Sequence, residues 1–130
     1  MLGSVCLQCL IVDDNAAFLE ASRDLLEKQG VSVLGVATTA SEGFRRAQEL
    51  DPEVILVDID LGNDSGFALA RELAQRPGGE AAKVILISAY PEEDFADLVS
   101  ESPAVGFVAK ADLSRRALED LLGSYARGDG

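Results

Sequence analysis

The run Val54-Ile55-Leu56-Val57 ends abruptly in Asp58, and the chain then passes through Ile59-Asp60-Leu61 into the turn residues Gly62 and Asn63. An unbroken aliphatic run of this length, with Asp51-Pro52 before it and Gly62-Asn63 after it, predicts a parallel strand buried on both faces by helices. In such sheets ligands sit beyond the C-terminal ends of the strands. The strand therefore delivers Asp58 to the edge where chemistry takes place. Taken alone, an Asp there is as readily a turn former that bonds its own backbone, so its meaning depends on what the other strands bring beside it.

Val5 to Val12 forms a second aliphatic run, and it too ends in acid, as Asp13-Asp14-Asn15. The period then changes to that of a helix, with Phe18, Ala21, Leu25 and Leu26 on one face, Asp24 and Lys28 paired on the wet side, and Gly30 as the stop. Val31 to Val36 predicts a short strand. Thr39-Ala40-Ser41-Glu42 has the spacing of a capping box and opens a helix packed through Phe44 and Ala47, ending near Asp51-Pro52. Ser65 can cap a third helix carrying Phe67, Ala70, Leu73 and Ala74, which breaks at Pro77-Gly78-Gly79. Lys83 to Ser88 is the fourth strand. A short fourth helix follows, with Pro91 at its first position and Phe95, Leu98 and Val99 facing inward, cut off by Ser102-Pro103. Val105 to Ala109 is the fifth strand, ending at Lys110. A last helix is expected to bury Leu113, Ala117, Leu121 and Tyr125, with Arg127 near its C-terminus where a cation suits the dipole, and Gly128-Asp129-Gly130 is expected to be a loose tail.

Five strands alternating with five helices predict an α/β fold, a doubly wound five-stranded parallel sheet with right-handed crossovers. The flavodoxin-like order 2-1-3-4-5 puts its switch point between the first and third strands. Those two strands carry Asp13-Asp14 and Asp58. A chain of 130 residues, 48% apolar, fits one domain with one core. With 23 acidic against 11 basic residues the net charge is −12, which argues against autonomous binding to nucleic acid or to an anionic membrane. No apolar run reaches the roughly 20 residues of a spanning helix, and Met1 to Val12 has no basic segment before its apolar part. A cytoplasmic protein is expected. Cys6 and Cys9 have redox or zinc spacing, but side chains three apart on a strand face opposite ways and no histidine is available to complete a zinc site.

On this topology three carboxylates meet in one crevice. Each like-charge pair at 4 Å costs about 4 kcal/mol at an effective dielectric near 20, so the cluster calls for a cation, and an all-oxygen site suits magnesium or manganese over zinc. Lys110 leaves the fifth strand at the same edge as a fixed positive charge, and Ser88 leaves the fourth with a hydroxyl. Each alone reads as a solvated charge or an ordinary turn hydroxyl. Together they suit phosphoryl transfer, with Asp58 as the nucleophile.

These residues resemble the receiver domain of two-component response regulators along essentially the whole chain. The matching features are Asp13-Asp14, Asp58 after an aliphatic strand, Gly66 eight residues later, Ser88-Ala89 and Gly106-Phe107-Val108-Ala109-Lys110, with separations of 45, 30 and 22 from Asp13 through Asp58 and Ser88 to Lys110. The resemblance implies that a histidine kinase or phosphotransfer protein phosphorylates Asp58 and that the phosphate is later hydrolysed. It implies magnesium held by Asp14, Asp58 and the backbone carbonyl of Asp60, with Asp13 helping through water, and Ser88 and Lys110 bonding the phosphoryl oxygens. Ser88 would then draw inward and Phe107 rotate from exposed to buried, remodelling the face from the fourth strand to the fifth helix. The same resemblance implies a homodimer through the fourth and fifth helices and the last strand.

Gly62 and Ala111 stand where that family often has proline, the second leaving the Lys110–Ala111 peptide geometry open. Asp60 and Tyr90 occupy rim positions that tune phosphate lifetime there. The rival is a haloacid-dehalogenase-type phosphatase, whose nucleophile and acid/base pair Asp58-x-Asp60 resembles. In that family the pair follows the first strand and a later acidic pair completes the metal site, whereas here the loop directly after Lys110 carries Asp112 alone. A fold kept purely for interaction would not need the acidic pocket.

Overall fold

In the computed structural model, which describes residues 7–77 and 82–126, the elements run β1 (Gln8–Val12), α1 (Ala16–Lys28), β2 (Ser32–Ala37), α2 (Ala40–Leu50), β3 (Val54–Asp58), β4 (Asp60–Leu61), β5 (Asp64–Ser65), α3 (Gly66–Gln75), β6 (Lys83–Ser88), α4 (Ala96–Glu101), β7 (Gly106–Ala109) and α5 (Arg115–Ala126). The long strands form one sheet in the order β2-β1-β3-β6-β7, every neighbouring pair parallel. This is the expected 2-1-3-4-5 order once the separate hairpin β4-β5 is set aside. Alternation along the strands sorts the core into two layers. Leu10, Val12, Ile55, Val57, Leu86 and Phe107 pack on one face with residues of α2, α3 and α4. Cys9, Ile11, Leu56, Ile87 and Val108 pack on the other with residues of α1 and α5.

The helix starts are held by side chains on the loops that follow the strands. Asn15 accepts from the Phe18 amide, Thr39 from Glu42, and Ser65 from Phe67 and Ala68. The Glu42 carboxylate accepts from Thr38 at 2.9 Å, one residue ahead of the cap, so the capping box closes one residue early. The Asp24–Lys28 pair forms at 3.0 Å. α3 ends at Gln75, with Arg76 extended as the residue before a proline must be; Gly78 and Gly79 lie outside the described residues.

Several boundaries differ from expectation. The first strand is described only from Gln8, since Val5 and Cys6 lie outside the described residues, and β2 sits one residue later than predicted. Pro91 is extended and precedes a 3₁₀ turn at Glu92–Asp94, so it does not begin α4. No side chain caps either piece, and a helix of six residues buries only one line of side chains. Val99 is buried, Phe95 half-buried, and Leu98, expected to face inward, is 52% exposed. Leu113 is buried but lies ahead of α5, whose most enclosed residue is Leu118, not named by the periodicity. The Tyr125 side chain, Arg127 and the 128–130 tail fall outside what is described. Cys9 is buried in the core and burial pushes its thiol up to about 12, which removes it from redox chemistry. Among the described residues no peptide bond is cis, so Lys110–Ala111 is trans. No described helix is long and apolar enough to cross a membrane.

Candidate functional site

Strand register alone assembles most of the site. β1 and β3 pair with Val12 opposite Val57, so the next residues, Asp13 and Asp58, leave the sheet side by side. The two-residue alternation that puts Val12 and Val57 toward α3 turns both aspartates toward α1 and α5, as it does Lys110 after Val108. Ser88, opposite Ala109, turns to the α4 side with Phe107.

Lys110 Nζ stands 2.6 Å from Asp13 Oδ2 and 3.1 Å from Asp58 Oδ2, with its side chain 17% exposed. It also lies 4.3 Å from the centroid of the Phe18 ring. Asp13 is fully buried; its Oδ1 accepts from the Asn15 amide at 2.8 Å, and its Oδ2 is held by the Lys110 ammonium. Asp58 Oδ1 accepts from the Asp60 amide at 3.1 Å. Burial raises the Asp58 carboxyl above its usual range and the Asp13 charge adds to this; the Asp60 amide and Lys110 oppose it without cancelling it. Burial would lower the Lys110 ammonium, but the close carboxylates of Asp13 and Asp58 outweigh it and raise it.

Two glycines shape the backbone around this cluster. A Cβ on Gly66 would fall 2.0 Å from the carbonyl oxygen of Asp58, so only glycine lets α3 start against the Asp58 peptide. Gly62 opens the two-residue turn between β4 and β5 with φ +75°, the conformation a type II′ hairpin needs at its first central position. Proline, fixed near φ −65°, cannot adopt it. A Cβ there would also stand 3.2 Å from Asp14 Oδ2.

A cavity of about 560 Å³ opens over the site, lined by Asp14, Asp58, Asp60, Ser88, Tyr90 and Lys110 among others. Asp13, Asp14 and Asp58 place carboxylate oxygens within 4.8 Å of one another. Drawn from three carboxylates, one of them fully buried, this all-oxygen set fits a hard divalent cation. Asp14 is exposed, as a ligand open to an arriving hydrated ion should be. The Asp60 side chain turns back to accept from Gly62 and is exposed at the rim. Ser88 is buried and its Oγ accepts from the Tyr90 amide at 3.0 Å. Phe107 is only 8% exposed. The structure thus holds it in the inward of the two expected positions.

Sequence reasoning brought Asp13, Asp14, Asp58, Ser88 and Lys110 to one rim, and the structure brings them there. It missed the hairpin β4-β5 and the second contact of Phe18, which periodicity marks only as a core residue of α1. It also missed Asn15 as the tie between the acidic loop and that helix. Asn before a helical pattern is a capping signal and could have been read.

Residues 9–122 match the family model described as the response regulator receiver domain. The DNA-binding transcriptional activator EvgA of Escherichia coli strain K12 is 24% identical over 106 residues, covering 82% of this chain and 51% of EvgA. A two-component response regulator of the LuxR family from Aurantimonas sp. SI85-9A1 superposes with a TM-score of 0.80 at 28% identity, covering 92% of this chain and 87% of that one. A response regulator protein from Burkholderia pseudomallei, with a phosphorylated aspartic acid, calcium ion and citrate, superposes with a TM-score of 0.78 at 26% identity, covering 94% and 70%. The chain spans about half the length of the curated relatives it matches. The haloacid-dehalogenase reading finds no support in these matches.

Proposed function

The chain belongs to the response regulator receiver domain family, and from that premise we propose that Asp58 is the phosphoacceptor of a two-component signalling pathway. The observation that carries this is the single rim on which the Lys110 ammonium stands between Asp13 and Asp58, 2.6 Å from one carboxylate and 3.1 Å from the other. A histidine kinase or phosphotransfer protein supplies the phosphoryl group. An Asp58 oxygen attacks phosphorus, the O–P bond forms as the P–N bond of phosphohistidine breaks, and the electron pair leaves with the imidazole, which takes a proton from water. Lys110 and the Ser88 hydroxyl neutralise charge on the transferred oxygens. Asp13, Asp14 and Asp58, with the Asp60 carbonyl, would hold Mg²⁺, or Mn²⁺ in its place. Held there, the ion would offset the repulsion among the carboxylates and supply positive charge to the phosphoryl group as it transfers. Water later attacks phosphorus, the O–P bond to Asp58 breaks, and inorganic phosphate leaves as the carboxylate is restored; the chain acts as a phosphoacceptor with self-catalysed phosphorylation and dephosphorylation.

Signal leaves through Ser88 and Phe107 to the face formed by α4, β7 and α5, which is also the surface for a homodimer. The chain itself makes no contact with nucleic acid or membrane and works in the cytoplasm. Incubation with a small acyl phosphate and Mg²⁺, followed by intact mass, tests the proposal. One phosphoryl group per chain, absent in Asp58→Asn, is the expected result. Sustained multiple turnover of phosphomonoesters would instead mark a phosphatase.

A further inference from the structure

Resting on that reading of Asp58, we propose that Phe18 is a positioning residue for Lys110, its ring being the seat over which the ammonium travels as its anionic partners change. The ammonium has three described neighbours: Asp13 Oδ2 at 2.6 Å, Asp58 Oδ2 at 3.1 Å and the Phe18 ring centroid at 4.3 Å. The ring distance is well inside the roughly 6 Å over which an aromatic face attracts a cation. The ammonium sits closer to Asp13, so it leans away from the residue that receives phosphate. When charge moves outward onto the phosphoryl oxygens, Lys110 must follow them. A carboxylate pulls the ammonium toward one point and competes with the phosphate for it. A ring face attracts over an area, carries no lone pair, and keeps water off that side.

The ring is also fixed by the loop that carries the acids. Asp13 Oδ1 accepts from the Asn15 amide at 2.8 Å, and Asn15 Oδ1 accepts from the Phe18 amide at 3.1 Å. The Phe18 ring meets Lys110, and Lys110 returns to Asp13 Oδ2. These four contacts close a circuit in which the position of the ring is set by the residue that anchors the lysine. Ordinary packing would ask of Phe18 only that it fill space beside the apolar layer on the α1 and α5 face.

Full-length Phe18→Leu and Phe18→Tyr separate the two roles, since leucine keeps an apolar side chain without a π face and tyrosine keeps the face. With saturating Mg²⁺ and a small acyl phosphate, the phosphorylation rate constant should fall about two- to thirty-fold in Phe18→Leu, the span of a cation–π contact from exposed to desolvated. It should be restored in Phe18→Tyr, with Mg²⁺ affinity unchanged in both. In proton NMR the Lys110 ε-methylene should carry a ring-current shift in wild type and Phe18→Tyr that is absent in Phe18→Leu. A Phe18→Leu protein that phosphorylates at the wild-type rate overturns the inference, as does a Phe18→Tyr protein as slow as Phe18→Leu or a parallel loss of Mg²⁺ affinity. Wild-type protein that accepts no phosphoryl group would overturn the reading of Asp58 and this inference with it.

Discussion

Replacing Gly66 by alanine strikes the site from behind. An added Cβ would lie 2.0 Å from the Asp58 carbonyl oxygen and 2.8 Å from both the Asp58 carbonyl carbon and Ile59 Cα. All three are backbone atoms, so no rotamer change relieves the clash. Forced overpacking of this kind costs about 1–3 kcal/mol. The Gly66 amide also donates to the Ile59 carbonyl at 3.0 Å, and a bond of that sort is worth about 0.5–1.5 kcal/mol. The better helix propensity of alanine, about 1 kcal/mol in a helix interior and less at this first position, returns part of the loss. These terms leave a net destabilisation of about 0.5–4.5 kcal/mol, centred on about 2–3 kcal/mol, and at that centre Tm should fall by about 6–15 °C in a domain of this size, measured by circular dichroism on heating. Because the struck atoms belong to the Asp58–Ile59 peptide beside the carboxylate cluster, divalent-cation binding should weaken as well. A Gly66→Ala protein that melts within about 2 °C of wild type would show that α3 does not start where the geometry places it.

Mg²⁺ should raise Tm by removing carboxylate repulsion, by the equivalent of about 2.7 kcal/mol at a hundred times its dissociation constant, and the gain should be largely lost in Asp14→Ala, whose exposed side chain contributes little to the metal-free fold. Differential scanning calorimetry with and without the ion checks this; an undiminished gain in the variant would place the cation elsewhere. Without metal, stability should also depend on pH through Asp58. Its carboxyl is raised in the native state, so from the ordinary value of 3.8 upward the folded protein holds the proton more tightly than the unfolded chain. The stabilisation is therefore full below that value and lost as pH rises through the raised one, and urea melts should show Asp58→Asn gaining on wild type across the window. A constant difference between the two would refute the assignment.

The fold was legible because each buried strand announces itself as an aliphatic run and each crossover helix as a change of period. The rim followed from topology, since parallel strands all deliver their last residues to one edge. Asp13 and Asp58 are neighbours for no subtler reason than the pairing of Val12 with Val57. What could not be read lies where periodicity gives no signal. Two-residue strands such as Asp60–Leu61 and Asp64–Ser65 are too short to show alternation, so Gly62-Asn63 reads as a turn without revealing the strands it joins. The fourth helix starts later than expected because Pro91, suited by its fixed φ to a first helical position, is extended here and leads only into an uncapped 3₁₀ turn. Phe18 was assigned to the core by its spacing, and spacing cannot reveal that the same ring faces a lysine 92 positions later.

The central claim is that Asp58 receives the phosphoryl group, and chemical mapping tests it most directly. Protein treated with an acyl phosphate and Mg²⁺ is reduced with borohydride, which converts an aspartyl phosphate to homoserine, and then digested and sequenced by mass spectrometry. Homoserine at position 58 and at no other aspartate is the expected result. Homoserine at Asp13, Asp14 or Asp60 with position 58 unmodified would contradict the account.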